Sequence, residues 1–277
     1  MRVALLQLNG SDDPAANLAA VSTAFDEAVS KGAEFILTPE VTNCISASRS
    51  HQNEVLYPQE RDPVLAALRA KAQAAGVWCL IGSLALKTEG ADGRFANRSF
   101  LISPDGGIKA WYDKIHMFDV AISESETFRE SESYRPGCRA VLAETPLGAI
   151  GLTICYDLRF AHLYRRLAQA GAEFLTVPAA FSPVTGAAHW EVLLRARAIE
   201  TGAFILAPAQ TGTHRATRGR ERRTWGHSLI VDPWGRVLAD GGTEPGVICV
   251  DLDHGAVEEA RSRIPALRQE IRFEGPA

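Results

Sequence analysis

Apolar residues along this chain keep two rhythms. Short, nearly unbroken apolar runs occur at Val3–Leu8, Phe35–Thr38, Trp78–Gly82, Phe100–Ser103, Gly151–Cys155, Phe174–Pro178, Phe204–Pro208, Ser228–Val231 and Val247–Leu252. Runs without polar alternation predict strands covered on both faces. Between several of them the period lengthens to that of a helix. Asp13-Pro14 offers an N-cap and a first-turn proline, after which Leu18, Val21, Phe25 and Val29 share a face up to Gly32. Asp62-Pro63 opens a second such segment, which runs to Gly76. Phe160, Leu163, Tyr164, Leu167 and Ala168 form a third stripe, closed by Gly171. Trp190, Leu193, Leu194 and Ala198 form a fourth, with Glu191 and Arg195 spaced to pair across one turn. Strands alternating with helices predict an α/β protein.

The pattern also repeats itself. Gly32-Ala33-Glu34-Phe35-Ile36-Leu37-Thr38-Pro39 is echoed by Gly171-Ala172-Glu173-Phe174-Leu175-Thr176-Val177-Pro178. Each copy follows an amphipathic helix that itself follows an apolar strand. Two similar β-α-β halves predict two packed sheets, each with helices on one face. No Pro- or Ser-rich linker divides the chain, so residues 1–277 read as a single domain.

Composition narrows the function classes. The 277 residues are 46% hydrophobic and 22% charged, ordinary globular proportions that exclude disorder and low-complexity architectures. The net charge of −4 argues against a nucleic-acid partner. Cys44, Cys79, Cys138, Cys155 and Cys249 make an odd number, with no C-x-x-C pair and no metal-ligand spacing. The run Met1–Leu6 meets Gln7 and Asn9 too soon for a signal peptide, and no apolar stretch is long enough for a membrane span. These features point to a cytoplasmic protein.

Reactive residue types stand where strands end. Glu40 follows Phe35–Pro39, at the edge where α/β sheets form ligand crevices. Cys155 ends an apolar strand just before a helix. A thiol exposed at such a bend is expected to gain thiolate character from the helix terminus, with the Tyr156 N–H free to face an oxyanion. Lys114 sits among Trp111, Tyr112, Ile115, Met117 and Phe118, a setting for an ammonium that lowers a neighbouring thiol. Glu130 lies among Glu124, Glu126 and Glu132, and taken alone it resembles a solvated acid. Thiol, carboxylate and ammonium together supply nucleophile, proton shuttle and oxyanion stabiliser for acyl transfer. A Cys–His pair, with His116 or His189, satisfies the same spacing.

Several stretches resemble the nitrilase superfamily of carbon–nitrogen hydrolases along essentially the whole chain. They are Leu37–Glu40, Tyr112–His116, Gly151–Phe160, Thr185–Glu191, Arg195–Glu200, Gly226–Ser228 and Val231–Gly235. The resemblance implies an αββα sandwich, a homodimer, and a catalytic set of Glu40, Lys114 and Cys155 that needs neither metal nor cofactor. Glu40 would act as base and acid, Lys114 as oxyanion stabiliser and Cys155 as nucleophile, with Glu130 helping to hold the lysine.

Within the superfamily the chain is most similar to Nit-type amidases, along His189–Glu200, Ala207–Gly212 and His214, and Tyr156-Asp157, where nitrilases typically carry Trp-Glu, argues against a nitrile substrate. The implied substrate is a small α-keto-acid amide, deaminated glutathione or α-ketoglutaramate, with an N-carbamoyl amine or aliphatic amide as the wider alternative. Arg159 would bind the keto-acid carboxylate, with Tyr156, Phe181 and Thr185 completing the substrate site; a surface ion pair between Arg159 and Asp157 is the plainer alternative. One segment departs from the branch. His214–Arg223 carries Arg215, Arg218, Arg220, Arg222 and Arg223, either a solvated loop or an attractor for a dianionic substrate.

Overall fold

A computed structural model describes residues 1–123, 126–269, 271, 274 and 275, so Glu124 of the acidic stretch lies outside the described residues. Its first half runs β1 (Arg2–Gln7), α1 (Pro14–Ser30), β2 (Phe35–Leu37), α2 (Arg49–Val55), α3 (Pro63–Ala75), β3 (Trp78–Leu86), β4 (Ala96–Ile102) and β5 (Ile108–Asp113). A hairpin of β6 (Asp119–Ser123) and β7 (Glu126–Arg129) leads into the second half. There follow β8 (Val141–Thr145), β9 (Gly148–Leu152), α4 (Ala161–Gln169), β10 (Phe174–Thr176), α5 (Pro183–Thr201), β11 (Phe204–Ala207), β12 (Thr211–His214) and β13 (Arg222–Trp225). The chain closes with β14 (Leu229–Val231), β15 (Val237–Asp240), β16 (Gly246–Asp251) and α6 (Gly255–Arg263).

Helix starts fall where their caps place them. The Asp13 carboxylate accepts from the N–H groups of Ala15 and Ala16, and Asp62 accepts from Leu65, each ahead of a first-turn proline. Gly76 closes α3 in the left-handed conformation, at φ 66°.

Two six-stranded sheets result, ordered β16-β1-β2-β3-β4-β5 and β15-β14-β11-β10-β9-β8. In each, three strands run parallel: β1, β2, β3 in one and β9, β10, β11 in the other. The echoed octapeptides form β2 and β10, the corresponding strands. Val3, Leu5, Phe35, Leu37 and Leu80 turn inward to a shared core with Ile150, Leu152 and Phe174 of the second sheet. Their alternates Ala4, Leu6, Ile36, Cys79 and Ile81 turn outward beneath Val21, Phe25, Val64 and Leu68 of α1 and α3. Helices α4 and α5 cover the second sheet through Leu163, Leu167, Trp190 and Leu194. The architecture is an αββα sandwich, and strands with both faces buried explain why the apolar runs lack alternation.

The β12–β13 hairpin leans across the strand ends. His214 fixes it: its Nδ1–H donates to the Gly10 carbonyl at 2.7 Å and its Nε2 accepts the Thr224 hydroxyl at 2.7 Å. Burial holds this imidazole down at about 4 against its ordinary 6.5. Below 6.5 the unfolded chain takes up a proton that the folded chain refuses until about 4, so stability falls as pH drops through that window. Full titration costs about 3 kcal/mol by linkage. Urea denaturation of wild type and His214→Gln is expected to show a steeper loss in wild type between pH 6.5 and 4.5. Parallel pH profiles would refute this.

Candidate active site

Four chain segments deliver polar groups into one crevice at the strand ends. Glu40 follows β2, Lys114 follows β5, Cys155 lies three residues beyond β9, and Ala180 follows β10. The Lys114 Nζ donates to Glu40 Oε1 at 2.9 Å and to both Glu130 oxygens at 2.9 and 2.8 Å. Glu40 Oε1 also accepts from Asn97 Nδ2, and its Oε2 from the Ala180 N–H, each at 2.9 Å. Glu130 Oε2 accepts from the Phe118 N–H. Both members of the central pair are buried, Lys114 at 2% and Glu40 at 4% exposure.

Two backbone positions in this crevice are strained. Val41, next to Glu40, has φ 47°, and Cys155 has φ 49°. Left-handed backbone at non-glycine residues persists only where the surroundings over-determine it. At Cys155 the surroundings are explicit. Its N–H donates to the Pro178 carbonyl at 2.9 Å, and Asp157, fully buried, clamps the turn. The Asp157 carboxylate accepts from the Ile154 N–H at 2.9 Å, the Tyr112 hydroxyl at 2.7 Å, and the N–H and Nδ1 of His116 at 3.0 and 2.7 Å.

The electrostatics differ from the sequence expectation at Cys155. The thiol is 6% exposed, and a short 3₁₀ turn, Cys155–Arg159, separates it from α4. Burial pushes the thiol well above its ordinary value and the Glu40 charge adds to this, while Lys114 and the Ala180 N–H oppose it. Glu40 goes the other way. Burial would raise it, but the charges of Lys114 and Arg222 and the hydrogen bond from Lys114 outweigh burial and hold it low. Burial likewise disfavours the Lys114 charge, and Glu130 and Glu40 together overcome it and keep the ammonium charged. The resting crevice therefore holds a neutral thiol near a charged carboxylate. Neither histidine of the Cys–His alternative lines the crevice: His116 is bound to Asp157 and stacked on Phe160 at 3.5 Å, and His189 faces Arg159.

A cavity of about 210 Å³ opens over the thiol. Tyr156, Phe181 and Thr185 line it, and the Thr185 hydroxyl is a buried atom with no partner among the described residues. Such an orphan costs free energy unless a ligand satisfies it. Arg159 is not among the lining residues. Its guanidinium packs over Tyr156 and Phe181 at 5.8 and 5.4 Å and contacts His189 Nδ1 at 3.3 Å, so the surface pair with Asp157 does not form. Sequence reasoning missed Asn97, whose amide bridges Glu40 and Glu130 and whose Oδ1 is the second buried orphan. It also left the arginine segment undecided, and the structure divides it. Arg220 and Arg222 line the cavity, while Arg218 pairs with Glu54 at 2.5 Å on the surface.

A strained, buried cysteine beside a carboxylate and an ammonium, all at the strand ends of an αββα sandwich, defines a class of acyl-transfer hydrolase. The carbon-nitrogen hydrolase family model matches residues 2–262, and the chain belongs to that family. It is 40% identical to the deaminated glutathione amidase of Yersinia enterocolitica over 273 residues, which cover 98% of this chain and 93% of that protein. It is 34% identical to the human omega-amidase NIT2 over 272 residues, covering 97% and 94%. The crystal structure of the Caenorhabditis elegans NitFhit protein superposes with a TM-score of 0.89 at 32% identity, over 97% of this chain and 64% of that longer one.

Proposed function

We propose that residues 1–277 form one carbon–nitrogen hydrolase domain that cleaves the amide bond of a small α-keto-acid amide through a thioester on Cys155. The favoured substrate is deaminated glutathione, released as α-ketoglutarate and Cys-Gly. The observation that carries the reading is the Glu40 carboxylate, held by the Lys114 ammonium at 2.9 Å in the same crevice as the Cys155 thiol. As the sulfur attacks the amide carbon, its proton passes to Glu40. The oxygen that gains charge faces Lys114 and the Tyr156 N–H, which stands in the first turn of its helix without an intrahelical acceptor. Glu40 then protonates the nitrogen as the C–N bond breaks, leaving the thioester. Water follows the same route: Glu40 takes its proton, the C–S bond breaks, and the proton returns to sulfur. Glu130 fixes the ammonium, which has to hold position through both steps.

Arg159, Tyr156, Phe181 and Thr185 form the substrate end in this reading, with the guanidinium taking the keto-acid carboxylate through paired hydrogen bonds. The kinship to the human omega-amidase supports α-ketoglutaramate as the second reading. A comparison of kcat/KM on the two amides separates them. Deaminated glutathione is expected to lead by ~100-fold, or about 2.7 kcal/mol of transition-state discrimination. A lead for α-ketoglutaramate establishes the second reading, and inactivity on both overturns the substrate class. Arg159→Ala is expected to raise KM for either amide at least tenfold, and an unchanged KM would remove Arg159 from the site.

The same reading places the enzyme in the cytoplasm as a homodimer. All five cysteines are free thiols, which suits a reducing compartment, and no helix among the described residues is long and apolar enough to cross a membrane. Val192 and Ile199 of α5, with Trp234 and Ile264 nearby in sequence or space, expose between 48% and 67% of their surface. A second copy would cover such a face. Replacing both Val192 and Ile199 by Glu is expected to halve the mass seen by light scattering. A wild-type mass near 29.9 kDa would refute pairing.

A further inference from the structure

The cavity reverses the sign of the protein. The chain carries a net charge of −4, yet Lys114, Arg129, Arg220 and Arg222 line the cavity against only Glu40 and Glu130. Lys114 is spoken for by those two carboxylates. Arg220 and Arg222 are not: among the described residues neither lies within ion-pair distance of a carboxylate. Arg222 Nη2 donates to the Ala180 carbonyl at 2.8 Å, and Arg220 Nη2 reaches the Thr127 carbonyl only at 3.5 Å. A guanidinium has five N–H donors, so most remain available to a ligand. The Phe128 ring, 5.5 Å from Arg220 and 5.9 Å from Arg222, seats both cations on one wall.

Their position relative to the reaction is readable from the hydrogen bonds. Arg222 donates to the carbonyl of Ala180, whose own N–H donates to Glu40 Oε2. The arginine wall therefore stands on the side of Glu40, the group that hands a proton to the departing amine. Arg159 packs elsewhere, on Tyr156 and Phe181. We infer that Arg220 and Arg222 form a second anion subsite that binds a carboxylate carried by the leaving amine. This inference rests on the amidase reading above, with Arg159 on the acyl side. It assigns the cavity-facing part of the basic segment to specificity and the remainder to anchoring.

The test uses two ligands that differ only in the carboxylate: the 5-amides of α-ketoglutarate with glycine and with methylamine. Both are titrated calorimetrically into Cys155→Ala protein, which binds without turnover. The glycine amide is expected to bind at least tenfold more tightly. Adding Arg220→Gln is expected to bring that ratio to within threefold of one, Arg220→Lys to keep an intermediate ratio, and Arg223→Gln, an exposed change on the same segment, to keep the full ratio. Equal binding of the two amides, or a ratio that survives Arg220→Gln, overturns the subsite while leaving the amidase reading intact. Binding of neither amide overturns the α-keto-acid substrate class and the subsite with it.

Discussion

Cys155→Ala is expected to abolish turnover, with kcat lower by at least ~10⁴-fold, while the protein keeps its fold. The size follows from the role proposed for the sulfur: without it no covalent intermediate would form, and loss of a nucleophile elsewhere costs up to about 10⁶ in kcat. The fold survives because the thiol is neutral and buried, and its removal forfeits little more than one small apolar contact. A companion measurement isolates the role of Glu40. The Glu40 charge helps to hold the thiol neutral while Lys114 favours the thiolate, so removing that charge eases ionisation beside the ammonium. Peptide mapping after iodoacetamide treatment is therefore expected to find Cys155 labelled at least as fast in Glu40→Gln as in wild type although turnover is lost, with exposed Cys138 labelled equally in both. Turnover at the wild-type rate in Cys155→Ala would remove the thioester route altogether.

Lys114→Met is expected to fail twice, in activity by about 10³-fold or more and in stability by about 3–5 kcal/mol. The first loss is the oxyanion partner. The second is the cost of leaving Glu40 and Glu130 facing each other with no cation between them. The pH dependence gives this a sign. In wild type the Glu40 carboxyl lies below its ordinary value, so its contribution is present above the unfolded value and lost as pH falls. Without Lys114, burial and the neighbouring carboxylate push Glu40 above its ordinary value, so the variant gains relative stability as pH falls. Urea denaturation at pH 7.5 and pH 5 is expected to show the gap between wild type and variant narrowing at the lower pH. A gap that stays constant would mean that the lysine does not neutralise the pair.

The apolar runs carried the α/β class and the strands covered on both faces, because burial writes itself into such runs, whereas the two packed sheets came from the echoed halves and the αββα sandwich from the family resemblance. Strands that lie half-exposed at sheet edges left no such mark. β5, with its alternating Ile108-Lys109-Ala110-Trp111, and β15, largely exposed, were not separable from loops. The short helices α2 and α6 lack a strong apolar stripe for the same reason. At the active site the residue types and their strand-end positions were legible, and the protonation state was not. Whether a thiol beside a lysine is lowered or raised depends on desolvation, which no local spacing encodes. Asn97 escaped notice because an amide within an apolar strand has no motif. The role of Arg220 and Arg222 depends on the β12–β13 hairpin folding back over the crevice, a contact between parts of the chain far apart in sequence.

The order of strands in the two sheets bears on how the chain acquires its shape during synthesis. The second sheet follows chain order, with β8 turning directly into β9 and only the β12–β13 hairpin set aside between β11 and β14. The first does not: the strand that corresponds to β8 is β16, which pairs with β1 from Arg2↔Asp251 to Gln7↔Gly246. Arg2 is tied to Asp251, and the Met1 amine to the Leu252 carbonyl, across the length of the polypeptide. A nascent chain emerging from the ribosome therefore presents β1 with one edge open until Gly246–Asp251 appear. An uncovered strand edge invites pairing with other chains. The first half of this protein is made early and finished late, and chaperone protection would matter most in that interval.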